Sequence, residues 1–171
     1  MAVPLKPKSV ALDTCVMIDL ASGDAECDKA LKAIRRRLKG TAVIVTPTVV
    51  QELAWLADSQ DEETRDLATL ALRDLKARWG IEPANCNPAN HGVIGLAAQE
   101  LRDRGLLPEA EVADSLIIAE SSSAECALLV SADGHMLDAD NAKMNEILVG
   151  RHLNPIVIIS PWKIAKDYAS A

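Results

Sequence analysis

The sequence is nearly devoid of aromatic side chains: it has no Phe, one Tyr and three Trp in 171 residues. A core for a chain of this length must then be filled by Leu, Ile, Val and Ala, the residues that helices stacked on a parallel sheet bring together. Long hydrophobic runs are missing as well. No stretch approaches the roughly 20 apolar residues of a membrane span, and the opening "MAVPLKPKSV" lacks the apolar segment of a secretory signal. Cysteine is sparse and scattered: Cys15, Cys27, Cys86 and Cys126 form no C-x-x-C pair, which argues against a zinc site. Cys15 and Cys126 fall in apolar runs, where a reduced thiol packs as a small hydrophobe. The expectation is a soluble, cytoplasmic protein. Positive charge is also short, with 18 Lys and Arg against 25 Asp and Glu, a net −7. Such a balance argues against binding of nucleic acid by basic surface alone. It does not exclude an enzyme that gathers acids around cations, because the cation reverses the local field.

No internal repeat or low-complexity segment interrupts the chain. Apolar runs at 8–13, 41–46 ("TAVIVT"), 126–132 ("CALLVSA") and 155–160 ("PIVIIS") predict strands. Helices are predicted at 26–39, where Leu31, Ile34 and Leu38 make a stripe ended by Gly40, and from Pro47 through about 58. Further helices are expected at 62–79, 91–104, about 108–124 and 141–149, with a short one closing the chain after Pro161. "IEPANCNPAN" reads as a loop with a short strand at its start. The alternation predicts an α/β fold, a three-layer α/β/α sandwich with a mostly parallel sheet. One domain over 1–171, with its core at about 8–160, is expected.

In such sheets ligands gather at the carboxyl ends of the strands. Two strands deliver an acid there: "VALD" ends in Asp13, and "ALLVSAD" in Asp133. Alone, Asp13 reads as a helix cap and Asp133-Gly134 as a turn. Glu52 shares a helical face with Val49, Trp55 and Leu56, although the whole segment is apolar enough for Glu52 to be its polar edge. Asp114 shares its face with Ile117 and Ile118, with Glu111 one turn earlier. An ionised carboxylate on a buried face is costly unless paired or bound to a metal. Carboxylates driven together repel, and a divalent cation removes that cost. Oxygen-only ligands suit Mg²⁺ or Mn²⁺.

The blocks "ALDTCVMID", "TPTVVQELAWL", "VADSLIIAES" and "CALLVSADGHM" resemble, in order, the four motif blocks of the PIN-domain ribonucleases. The resemblance implies an α/β/α metal-dependent endoribonuclease. Asp13, Glu52, Asp114 and Asp133 would hold Mg²⁺ or Mn²⁺. Water would attack the RNA phosphodiester in line, leaving a 5′-phosphate and a 3′-hydroxyl. Thr14 and Ser131 match small hydroxyl positions that hydrogen-bond the acids or the substrate. Many bacterial and archaeal members look like the toxins of toxin–antitoxin pairs and form dimers, so an antitoxin protein and a homodimer join RNA as expected partners. The chain departs from the toxins in its long stretch between Glu52 and Asp114 and in lacking an acidic-aromatic continuation after Asp133. The competing expectation is a PIN-like scaffold that binds RNA or protein without turnover. A haloacid-dehalogenase-type phosphatase is excluded, because Cys15 stands where that chemistry needs a second Asp.

Other features have plainer readings. Arg35, Arg36, Arg37 and Lys39 form a solvated helix face or, as substrate-binding residues, a phosphate track beside the site; Lys6 and Lys8 would extend it. Asp138 is a loop residue or an accessory acid, His135 a surface turn, and Trp55, Trp79 and Trp162 core or interface anchors.

Overall fold

The computed structural model describes residues 9–168; Lys6 and Lys8 lie outside them. The first half of the chain runs β1 (Ser9–Leu12), α1 (Thr14–Ser22), α2 (Ala25–Arg37), β2 (Ala42–Val45), α3 (Pro47–Ala57), α4 (Glu62–Asp74) and β3 (Glu82–Pro83). A 3-10 turn then leads to α5 (His91–Asp103), α6 (Val112–Ser123), β4 (Cys126–Val130), α7 (Gly134–Leu137), α8 (Asn141–Gly150), β5 (Val157–Ile159) and α9 (Pro161–Tyr168). The five strands form one sheet in the order β3-β2-β1-β4-β5, every pair parallel. With helices flanking the sheet, the architecture is the expected three-layer α/β/α fold. No helix among the described residues is long and apolar enough to cross a membrane.

The core is aliphatic, as the shortage of aromatics required. Val10, Ala11, Leu12, Val43, Val45, Leu129 and Val130 supply the sheet, and Met17, Leu53, Leu101, Ile117, Ile118 and Leu148 pack onto it from helices. Trp79 is the buried tryptophan, with the Arg78 guanidinium 5.2 Å from its ring centre. Trp55 and Trp162 are exposed, so neither anchors the core.

Several boundaries differ from expectation. Thr14–Ser22 is a helix that periodicity did not announce, because "TCVMIDLAS" is apolar on nearly every side. It stops at Gly23, whose φ of +83° is the left-handed cap that glycine adopts without strain. Pro108 opens a turn, with Glu111 N–H donating to the Pro108 carbonyl at 3.0 Å, and α6 begins only at Val112. Asp114 therefore sits in the first turn of its helix. Helix α4 ends at Asp74 and continues as turns to Trp79, and Asp133-Gly134 starts a one-turn helix, α7, where a simple turn was expected.

Candidate active site

Strand β1 is the centre of the sheet and the point where strand order reverses: the chain builds β2 and β3 to one side, then β4 and β5 to the other. The carboxyl edge of such a reversal is a crevice. Leu12 pairs with Val130, so Asp13 and Ser131 emerge side by side there. The Asp13 amide donates to the Val130 carbonyl at 3.0 Å, fixing the two strand ends. The Asp13 carboxyl is almost wholly buried. Its Oδ1 accepts from the Thr14 amide at 2.7 Å, and its Oδ2 from Ser131 Oγ at 2.7 Å and Cys15 Sγ at 3.0 Å. Asp133 N–H donates to the same Ser131 hydroxyl at 3.0 Å, while Asp133 Oδ1 accepts from the Met136 amide at 3.1 Å. Both acids are thus helix caps, for α1 and α7, as well as walls of the crevice.

The other two acids arrive on helices. Thr46 caps α3, and Pro47 occupies its first turn. A second anchor comes from α6: buried Glu120 accepts from the Thr48 amide at 3.1 Å and from Thr48 Oγ1 at 2.8 Å. A carboxylate on a helix N-terminus meets orphan amides and the positive end of the dipole. This clamp docks α3, which carries Glu52, against α6, which carries Asp114. Glu52 is then tied to α1, its Oε2 accepting from Thr14 Oγ1. Glu120 was not singled out by sequence; an acid directly after the apolar run Ile117-Ile118-Ala119 was the available signal.

Asp13, Thr14, Cys15, Ile18, Asp19, Glu52, Leu56, Asp114 and Asp133 line one pocket, and no Lys, Arg or His is among them. The electrostatic consequence is plain at Asp114, whose pKa is pushed up to about 8, first by burial and then by the charges of Asp13, Asp133, Glu111 and Glu52. Burial also raises Asp13, against the hydrogen bonds from Ser131, Cys15 and Thr14. Glu52 is raised by burial, against its bond from Thr14, with Asp13 and Glu111 adding to the rise. Asp19, a pocket acid that sequence reasoning missed within the unrecognised α1, is raised by burial and by Asp24. The Cys15 thiol is pushed up by burial and by the Asp13 charge beside it.

The donor set fits a hard divalent cation in chemistry: carboxylate oxygens, and no donor hydrogen reaching Asp114 from any described residue. Among the described residues, however, no three His, Cys, Asp or Glu side chains stand in a ready ligating array. Asp13 and Asp133 are turned toward backbone amides, and Glu52 toward Thr14.

Arg35 and Arg36 are not brought to the pocket. They close α2 just before β2 begins, and Arg35 reaches Gly80, just ahead of β3, so both lie at the amino edge of the sheet, opposite the acids. Arg36 donates to the Tyr168 carbonyl at 2.9 Å. Asp138 is exposed at the end of α7, and His135 is exposed with Nε2 4.0 Å from Glu111.

The fold is thus an all-parallel α/β/α sandwich with acids collected at the reversal point of its sheet. The chain belongs to the PIN-domain family, whose model matches residues 10–142. The match contains Asp13, Glu52, Asp114 and Asp133 and ends before β5 and α9. PIN domains are generally nucleases and typically use divalent metals. A comparison with curated proteins finds no significant match.

Proposed function

We propose that this chain is a metal-dependent endoribonuclease, with Asp13, Glu52, Asp114 and Asp133 holding Mg²⁺ or Mn²⁺. The observation that carries this reading is the pocket, where Asp13, Glu52, Asp114 and Asp133 meet without a lysine or arginine on the walls, so that burial and the neighbouring charges push Asp114 up. Such a cluster is unfavourable by itself and becomes favourable around a doubly charged ion. When bound, the ion would lower the pKa of water and neutralise charge on the phosphodiester. The chain's own part is placement. Ser131, Cys15 and the Thr14 amide hold Asp13, the Thr14 hydroxyl holds Glu52, and the Glu120–Thr48 clamp holds the two helices that bring Glu52 to Asp114.

The test is cleavage of a labelled RNA in Mg²⁺ or Mn²⁺. Expected are loss of cleavage in EDTA and a fall of 10³-fold or more, roughly, for Asp13→Asn or Asp114→Asn. Cleavage unchanged by EDTA overturns the reading. The bonds that turn Asp13 and Asp133 into helix caps favour the alternative of a scaffold that binds without turnover. Calorimetry separates the two, since a scaffold takes up no divalent ion at millimolar concentration. The toxin role, with an antitoxin partner, a homodimer and a cytoplasmic setting, extends the first reading on the strength of the family likeness alone. Growth arrest on expression, relieved by a neighbouring small protein, tests it.

A further inference from the structure

We infer that the cavity between α2, α9 and the sheet is a binding site for a small aliphatic carboxylate, its chain among the apolar walls and its head on Arg37. Helix α2 presents Ala33 and Arg37, one turn apart, with Ile34 and Leu38 beside them. Helix α9 presents Ile164 and Tyr168, again one turn apart. The floor is the sheet, where Leu128 and Ile159 come from the neighbouring strands β4 and β5. Leu128 sits on an inner strand, flanked by β1 and β5, and is nevertheless only half-buried. The helical layer above it leaves a gap there, and the buried Ala33 is too short to close it. Ile34 and Ile164 are buried and form the inner wall, whereas Arg37 and Tyr168 are exposed and mark the mouth. Arg36 donates to the Tyr168 carbonyl at 2.9 Å and holds the ends of the two helices together. The cavity shares no lining residue with the acidic pocket, so the inference is independent of the nuclease reading.

Shape and charge together select the occupant. An apolar cavity of about 150 Å³ stays dry and takes up benzene. This one measures about 240 Å³, room for an apolar body of roughly eight carbons. Its polar side chains are both donors, the Arg37 guanidinium and the Tyr168 hydroxyl, and no acid lines it. Arg37 makes no hydrogen bond or ion pair with a described residue, unlike Arg36 beside it. A guanidinium fork matches the two oxygens of a carboxylate. One fixed cation balances one negative charge, and a phosphate dianion would leave charge uncompensated beside apolar walls. A second copy of the chain is a poorer fit, because a concave site of this size admits one side chain, far short of the roughly 800 Å² per partner of a stable interface. Strand β5 and helix α9, which supply Ile159, Ile164 and Tyr168, lie beyond the span matched by the family model.

The experiment is calorimetry of the full chain with octanoate at millimolar concentration, with acetate, 1-octanol and n-octyl phosphate as comparisons. Expected are one octanoate per chain, no uptake of acetate, weaker binding of the phosphate, and a Tm that rises with octanoate. Arg37→Met should weaken octanoate about tenfold or more and leave 1-octanol within about twofold. Ala33→Leu fills the cavity and should abolish octanoate uptake, with circular dichroism showing that the variant is folded. If Ala33→Leu does not fold, Arg37→Met decides. No heat and no Tm change with octanoate in the parent overturn the inference. So do equal octanoate binding in Arg37→Met, uptake that persists in folded Ala33→Leu, and octyl phosphate bound as tightly as octanoate. Dissociation of a dimer by octanoate in sedimentation also overturns it, assigning the cavity to a contact between copies.

Discussion

Ser131 donates its hydroxyl to Asp13 Oδ2 at 2.7 Å, across 118 positions of sequence. The same oxygen accepts the Asp133 amide, so one hydroxyl fixes the ends of two neighbouring strands and orders two of the pocket acids. Ser131→Ala leaves a buried carboxylate short of a donor, and it is expected to cost about 1–3 kcal/mol in chemical denaturation. Ser131→Thr keeps the hydroxyl, and urea titration should find it closer to the parent.

Asp13 and Asp114 should respond oppositely to neutralisation. Three donors converge on Asp13, so Asp13→Asn sets amide hydrogens against them and is expected to lose about 1–3 kcal/mol. Asp114 faces four acids and receives no hydrogen bond from a described residue. Asp114→Asn removes the cost of keeping a carboxyl, and the proton it takes up, among those acids, and is expected to raise Tm at pH 7 in EDTA by about 2–4 °C. Differential scanning calorimetry of both variants checks the pair.

The raised pKa of Asp114 fixes a pH trend for the metal-free protein. Unfolded, the group ionises near the ordinary carboxylate value of 3.8; folded, it is pushed up to about 8. Between those values the folded state binds the extra proton, so stability falls as pH rises. The contribution is complete below the lower value and gone above the higher. Thermal denaturation in EDTA should therefore show Tm falling from acid to weakly alkaline pH, with a smaller fall in Asp114→Asn.

A divalent ion should reverse that loss. An ion that binds only the folded state at about 100 times its Kd adds roughly 2.7 kcal/mol. Adding Mn²⁺ at pH 8 is expected to raise Tm of the parent and to leave Asp114→Asn nearly unmoved. Equal shifts in both would place the ion elsewhere.

Cys15 joins the two strand ends through its sulfur, which donates to Asp13 Oδ2 at 3.0 Å and accepts the Ala132 amide at 3.3 Å. Cys15→Ser preserves both roles. Cys15→Val fills similar space and preserves neither, so it should be less stable than Cys15→Ser by about 1–3 kcal/mol, read by urea titration.

Strands β1, β2, β4 and β5 were legible because each is a short apolar run; β3, the exposed pair Glu82–Pro83, showed only as the start of a loop. Asp13, Glu52, Asp114 and Asp133 were legible because each interrupts an apolar stretch with a charge. Helix α1 was not, since a segment apolar on almost every side shows no period, and Asp19 was hidden with it. The start of α6 was misjudged because Pro108 fits a turn as well as a helix N-terminus. Arg35 and Arg36 read as a solvated face with a phosphate track as the alternative, because helical spacing reveals a face and not which edge of the sheet it overlooks.

By itself, the order of residues determined the fold class, the family and which acids interrupt apolar segments, since these follow from local hydrophobic pattern and from motifs in sequence. Only the tertiary structure decided that the acids meet. Parallel pairing of Leu12 with Val130 sets Asp13 beside Ser131, and the Glu120–Thr48 bond brings Glu52 within the field of Asp114. Those contacts join residues far apart in the chain, where strand register and helix docking are fixed by burial of the whole core.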